Sequence, residues 1–343
     1  MEKLIDNSKT FIIAELSANH NHDLDVALKS IQAAADAGAD AIKLQTYTPD
    51  TITIDCNNKY FKISHGSLWD GRTLYDLYKE AHTPWEWHEA LFNEAKKCGL
   101  ICFSTPFDFT SVDFLEKLNA PAYKIASFEI FDIPLIEYVA AKGKPVIMST
   151  GLATLPDIEE AVAACRKVGN NQIALLKCTS AYPAPVEEAN LLTLSDMRQR
   201  FDCVVGLSDH TLGTTVALTS VALGGKIIEK HFILDKKLGG PDAAFSLNPA
   251  EFGLMVRQVR DVEKALGSIS YKISDKVKPS LQLARSLFVV NDIKKGEAIS
   301  PENIRSIRPG YGISPKYYNQ VLGKSVKTNL KRGTPLNWDD INT

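Results

Sequence analysis

Eight short apolar runs punctuate the first two thirds of the chain, and each ends on residues able to do chemistry. Run 11–14 leads into Glu15, and 41–42 into Lys43 and Gln45. Run 101–103 leads into Ser104 and Thr105, and 122–123 into Lys124 and Ser127. Run 146–148 leads into Ser149 and Thr150, and 173–176 into Lys177, Thr179 and Ser180. Run 204–207 leads into Ser208, Asp209 and His210, and 227–228 into Glu229, Lys230 and His231. Stretches of helical periodicity separate them. Helices are predicted over 23–37, 85–98, 155–168, 214–223 and 249–266, each closed by a glycine, with Pro84, Pro156 and Pro249 near three of the starts. Alternating strands and helices whose strand ends carry the polar residues predict an α/β protein of the (β/α)8 TIM-barrel class, with its site at the C-terminal face.

The barrel reading covers residues 1–267. Segment 47–82 is too long for a simple strand-to-helix loop and is rich in aromatics (Tyr60, Phe61, Trp69, Tyr75, Tyr78), so it reads as a lid, a substrate wall or a decorative insertion. Segment 268–283 is polar and reads as a linker. Beyond it, Ile293-Lys-Lys-Gly-Glu-Ala-Ile-Ser-Pro-Glu-Asn-Ile304 matches Leu330-Lys-Arg-Gly-Thr-Pro-Leu-Asn-Trp-Asp-Asp-Ile341. Two copies of a turn-rich unit predict a small pseudo-symmetric domain over 284–343, too few for a solenoid.

Of the 343 residues, 39 are basic and 41 acidic, a net charge of −2 that supports neither a nucleic-acid nor a membrane surface. No apolar run is long enough to span a bilayer and residues 1–10 are polar, which predicts no signal peptide and a cytoplasmic protein. The six cysteines form no Cys-x-x-Cys pair and read as thiols in a reducing compartment.

On a strand, residues two apart share a face. Lys43 therefore projects with Gln45, Ser208 with His210, and Glu229 with His231, while Lys230 points toward the helices. His210 and His231 end the seventh and eighth strands, neighbours in a closed barrel, and two converging imidazoles suit a divalent metal; two separately hydrogen-bonded histidines are the alternative. Lys43 and Lys124, with Ser127, Ser149, Thr150-Gly151 and Ser208, suit a phosphate or a phosphorylated carboxylate, where either lysine alone would read as a salt bridge. Glu15 and Glu129 could hold a substrate hydroxyl, manage a proton or back up a lysine; Tyr182 could donate a hydrogen bond or simply pack. His20 and His22 form a His-x-His pair that reads as a solvated loop or a substrate contact before it reads as a metal site. His65, His82 and His88 read as surface or helix residues. Neither a Walker sequence nor Gly-x-Gly-x-x-Gly occurs, so nothing points to a nucleotide.

Glu15-Leu-Ser-Ala-Asn-His20, Gly38-Ala-Asp-Ala-Ile-Lys-Leu-Gln-Thr46, Tyr123-Lys-Ile-Ala-Ser-Phe-Glu129, Ser149-Thr-Gly151, Gly206-Leu-Ser-Asp-His-Thr211 and Glu229-Lys-His-Phe232 together resemble the sialic acid synthase family, which condenses phosphoenolpyruvate with acetamido sugars. The C-terminal repeat resembles that family's antifreeze-like (SAF) domain. Leu16-Ser-Ala-Asn-His20, Leu68-Trp-Asp-Gly-Arg-Thr-Leu-Tyr-Asp-Leu-Tyr78 and Thr83-Pro-Trp-Glu-Trp-His88 resemble its pseudaminic acid branch; the neuraminate and legionaminate branches share the mechanism with a different sugar. The resemblance implies condensation with 2,4-diacetamido-2,4,6-trideoxy-altrose. It implies a divalent ion (Mn, Mg or Co) on His210 and His231. It implies phosphoenolpyruvate contacts from Lys43, Thr105, Lys124, Ser127, Ser149, Ser180 and Ser208, with Ser180 standing where neuraminate-type members can carry Asn. Sugar contacts would come from Glu15, Gln45 and Asp242, and Glu129 and Tyr182 would lie near the reacting atoms. Arg308, in Arg308-Pro-Gly310, resembles an arginine that one subunit sends into its partner's barrel, which implies a domain-swapped homodimer.

Overall fold

The computed structural model describes residues 8–64 and 69–342. His65, the Leu68 head of one motif and most of the polar start lie outside them. The chain divides into two compact units, the first ending at Gly267 and the second beginning at Ser268.

The first unit is a closed barrel of eight parallel strands: β1 (Phe11–Glu15), β2 (Ala41–Thr46), β3 (Ile101–Pro106), β4 (Tyr123–Ile125), β5 (Val146–Ser149), β6 (Ile173–Cys178), β7 (Val204–Asp209) and β8 (Ile227–His231). Every apolar run became a strand. Closure brings Glu15 of β1 level with Lys43 on one side and His231 on the other. The lower interior is filled by Phe11, Ile13, Ala41, Phe103, Ile147 and Leu176, which turns the tube into a packed core. Gly206 is required by this packing: a Cβ there would lie 2.4 Å from the Ile227 carbonyl oxygen on the neighbouring strand.

Helices cover the outside. Asp23 caps Leu24–Asp36 by accepting from the Val26 N–H, and Asn248 forms a reciprocal capping box with Glu251 at the start of Pro249–Leu266. The helix expected over 85–98 opens with a tight 3₁₀ turn, Trp85–Trp87, before the α-helix His88–Lys97. Buried apolar residues of these helices pack against the outward faces of the strands in two clusters, each fully buried Leu, Ile or Val contributing roughly 1.5–3 kcal/mol. The long segment after β2 carries helices Pro49–Ile52 and Leu74–Ala81 and a short antiparallel pairing of Lys62 with Thr73. Among the described residues no helix is long and apolar enough to cross a membrane. All six cysteines are free.

The second unit is built twice over. Antiparallel strands β9 (Ser286–Val289) and β10 (Ile304–Ile307) flank the first copy of the sequence repeat. Ile293 and Leu330, the first residues of the two copies, exchange both backbone hydrogen bonds at 2.8 Å. The Gly296 N–H meets the Val326 carbonyl, and the Gly333 N–H meets the Val289 carbonyl, each at 2.8 Å. Ile299 and Leu336, and Ile304 and Ile341, occupy matching places in one core. Each copy thus completes the other.

Candidate functional site

Inward-facing residues of the strand ends converge on one charged layer above the apolar floor. The Lys43 ammonium lies 2.7 Å from Glu15 Oε2 and 3.6 Å from Glu229 Oε1, and donates to Thr105 Oγ1 at 3.2 Å. The Lys124 ammonium donates to Ser149 Oγ at 2.6 Å and lies 4.0 Å from Glu229 Oε1, which also accepts from Ser208 Oγ at 3.1 Å. All these residues are buried. Burial pushes Glu15 up to about 7, with Lys43 opposing and Glu229 assisting. For Glu229 burial acts the same way, but the two lysines win and hold it below the ordinary range. Near neutral pH Glu15 is only partly ionised, so the two ammonium groups outweigh the carboxylate charge beside them and the layer stays receptive to an incoming anion.

Beside Lys124 lies a small polar cradle. Ser127 Oγ accepts from the Gly151 N–H at 3.1 Å. A Cβ at Gly151 would fall 2.2 Å from Ser180 Oγ, 2.8 Å from Ser127 Oγ and 3.0 Å from Cys178 Sγ. Hydroxyls and a backbone N–H gathered next to a cation are the usual furniture of a phosphate or carboxylate site.

Higher in the mouth, Gln45 donates to Glu15 Oε1 at 3.1 Å and to Ser17 Oγ at 2.9 Å, and Ser17 donates to Asp242 Oδ2 at 2.5 Å. This relay joins three of the expected sugar contacts. Glu129, on the loop after β4, has a buried Oε2 without a hydrogen-bond partner, and burial lifts its carboxyl to about 7 against the pull of Lys124. Tyr182 stacks obliquely on His210 at 4.4 Å between ring centres.

The rings of His210 and His231 are 5.4 Å apart. His210 Nδ1 lies 3.0 Å from the Thr179 carbonyl oxygen, a bond that leaves the lone pair on Nε2. His231 Nδ1 is buried with no hydrogen-bond partner, 3.8 Å from Asp242 Oδ2, and burial beside His210 and Lys43 keeps the ring neutral. Two imidazoles brought this close fit a divalent ion. Among the described residues no third His, Cys, Asp or Glu completes a ligand set, so the remaining positions would fall to solvent or substrate.

The barrel's expected site residues therefore share one mouth. Arg308 is exposed on the second unit. His20 departs from its expectation as a solvated or substrate-binding residue: it is fully buried, its Nε2 lies 3.1 Å from Thr83 Oγ1, and its Nδ1 accepts from the His22 N–H. Burial lowers it to about 3, and with both nitrogens taken it is a structural residue. His88, on its helix as expected, is also buried, 2.8 Å from Thr46 Oγ1. The sequence reading passed over Glu229 as a site residue although it shares a face with His231, and passed over Ser17, Cys178 and Tyr78. Glu229 had a signal in the alternation of β8; Ser17 sits in a turn and Tyr78 on the short helix Leu74–Ala81, where no strand periodicity marks them.

Residues 30–271 match the NeuB family and residues 284–342 the SAF domain. The chain belongs to the NeuB family. It is 47% identical over 331 residues to the pseudaminic acid synthase of Helicobacter pylori, covering 96% of this chain and 97% of that protein. It is 46% identical to the pseudaminic acid synthase of Campylobacter jejuni subsp. jejuni serotype O:2, covering 98% and 97%. The crystal structure of N-acetylneuraminic acid (sialic acid) synthetase from Leptospira borgpetersenii serovar Hardjo-bovis in complex with citrate superposes with a TM-score of 0.71 at 33% identity, covering 80% of this chain and 91% of that one.

Proposed function

We propose that the chain condenses phosphoenolpyruvate with 2,4-diacetamido-2,4,6-trideoxy-altrose and water, releasing pseudaminic acid and phosphate. The observation that carries this reading is the pair of buried ammonium groups, Lys43 and Lys124, set among Thr105, Ser127, Ser149, Ser180 and Ser208, with the polar relay of Glu15, Gln45, Ser17 and Asp242 beside them. The near full-length similarity to pseudaminic acid synthases supports the choice of sugar.

The lysines and hydroxyls would clasp the phosphate and carboxylate and hold the enol carbon facing the aldehyde. A divalent ion on His210 and His231 would supply Lewis acidity at the aldehyde oxygen. Glu15, Gln45 and Asp242 would bind the sugar. Attack by the enol carbon forms the new C–C bond and leaves positive charge on C2. Glu129, lifted toward neutrality, would take a proton from the water that adds there. The hemiketal phosphate then collapses by C–O cleavage, with Lys43 and Lys124 stabilising the departing phosphate.

The dimer is part of the same proposal. Arg308 would reach the partner's barrel and meet the sugar's acetamido group. The connecting segment supports this: Ile269 and Tyr271 are 94% and 97% exposed, and Ile273, Val277, Leu281 and Leu283 are exposed with them, apolar side chains on an otherwise polar segment that a second subunit would cover. The free thiols suit a reducing compartment such as the cytoplasm.

The test is purified protein with phosphoenolpyruvate, a divalent metal and a panel of acetamido sugars, followed by phosphate release and product mass. The expected result is release with the altrose-configured sugar above all others. Release with none of the panel would overturn the reading.

A further inference from the structure

The segment after β2 crosses the mouth. On one side lies its Tyr78, whose phenol is pushed above its ordinary range by burial and, to a lesser degree, by the nearby Glu129 carboxylate. On the other side Trp69 packs on Tyr182 at 5.7 Å between ring centres, and its indole N–H donates to the Pro241 carbonyl at 3.3 Å. Tyr182 is two residues beyond Ser180 and Pro241 immediately precedes Asp242, so one indole bridges the loops after β6 and β8 that carry site residues. The backbone holds it there: Ile63 N–H meets the Arg72 carbonyl at 2.9 Å, and the Gly71 N–H meets the Ile63 carbonyl at 2.9 Å. Phe245 completes the surface, 5.3 Å from the Tyr182 ring and 4.9 Å from that of His231.

This roof has a definite chemistry. Tryptophan has one donor and no acceptor, and here the donor is spent on Pro241. Phe245 has no polar atom, and the Tyr182 hydroxyl lies beside Ser180. The hydrogen-bonding groups for a sugar, Glu15, Gln45, Ser17 and Asp242, lie beneath. With the aldehyde carbon beside the lysine-bound enol, an open-chain sugar would run outward and bring its last carbon toward the aromatic surface. A methyl group would be accepted there, whereas a hydroxyl would meet ring carbon rather than a hydrogen-bond partner.

We propose that Trp69, laid against Tyr182 and tied to the Pro241 carbonyl, selects a sugar whose C6 end is a methyl group and rejects the hydroxymethyl counterpart. The inference rests on the proposed synthase activity and deepens it.

The experiment compares 2,4-diacetamido-2,4,6-trideoxy-altrose with its 6-hydroxy counterpart, 2,4-diacetamido-2,4-dideoxy-altrose, as partners of phosphoenolpyruvate in the metal-loaded enzyme. Wild-type protein is expected to favour the 6-deoxy sugar by at least about tenfold in kcat/KM. Trp69→Ala should bring the two sugars to within about threefold, mostly through KM for the sugar, and leave KM for phosphoenolpyruvate within about twofold. Trp69→Phe keeps an apolar ring against Tyr182 and should keep most of the preference. An unchanged preference in Trp69→Ala would overturn the inference and leave the synthase reading intact, as would a parallel rise in KM for both substrates. Absence of phosphate release from wild type with either sugar would overturn the parent reading, and this one with it.

Discussion

Glu129 gives the most direct handle on the chemistry at the residue scale. Its carboxyl stands near 7 because burial outweighs the attraction of Lys124. If its carboxylate takes the water proton, kcat/KM rises with pH through about 7, and Glu129→Gln removes that limb while lowering kcat roughly 10²- to 10⁴-fold. A pH profile of phosphate release on both proteins checks this. The same group weakens the fold in a defined pH window. A carboxyl raised from 4.5 to about 7 favours the folded state while protonated, and that contribution fades as pH climbs from below 4.5 through 7. Glu129→Gln should therefore gain stability over wild type, on the order of 1–3 kcal/mol, at pH 8 but not at pH 4. Denaturant melts at both values decide it. Gly151 offers a second test. Its added methyl in Gly151→Ala meets the hydroxyls of Ser180 and Ser127. KM for phosphoenolpyruvate should rise about tenfold or more, with circular dichroism unchanged.

At the scale of the element, strand alternation explains what was legible and what was not. The eight strands, the inward lysines and the two histidines could be read because apolar runs mark the strands and a period of two fixes which residues share a face. The opposite face of β7 and β8 carries a feature only half visible in the sequence. Lys230 was expected to point outward, but not its partner: its ammonium donates to Asp209 Oδ2 at 2.8 Å and to the Thr211 carbonyl, wholly buried. Asp209 also accepts from the Thr211 N–H and hydroxyl. These bonds brace the residues flanking His210 from behind. Lys230→Met leaves a buried carboxylate unpaired and should cost roughly 3–5 kcal/mol, and adding Asp209→Asn should recover part of it; thermal melts of the single and double variants measure the coupling. Other residues of the mouth escaped the reading for a different reason. Ser17, Tyr78 and Cys178 reach the mouth through turns, helix docking or the residue just past a strand's apolar run, which leave no periodic trace. His20 was misplaced because burial is set by the neighbours Thr83 and Trp87, distant in sequence.

For the whole molecule, the decisive question is whether two copies share work. If Arg308 acts in the partner's barrel, Arg308→Ala and His210→Ala proteins, each nearly inactive, should complement when unfolded together and refolded. Random pairing makes half the dimers mixed with one sound site in each, so about a quarter of wild-type phosphate release should return. No recovery would place Arg308 with its own barrel or outside the site.

The C-terminal unit carries a consequence of its own. Its two copies clasp reciprocally, Ile293 with Leu330, Gly296 with Val326 and Gly333 with Val289. A peptide holding one half presents donors and acceptors whose complement is another molecule of the same peptide. Expressed alone, such a fragment should be a folded pair at high concentration and an unfolded chain on dilution, with sedimentation and helicity-independent amide protection falling together.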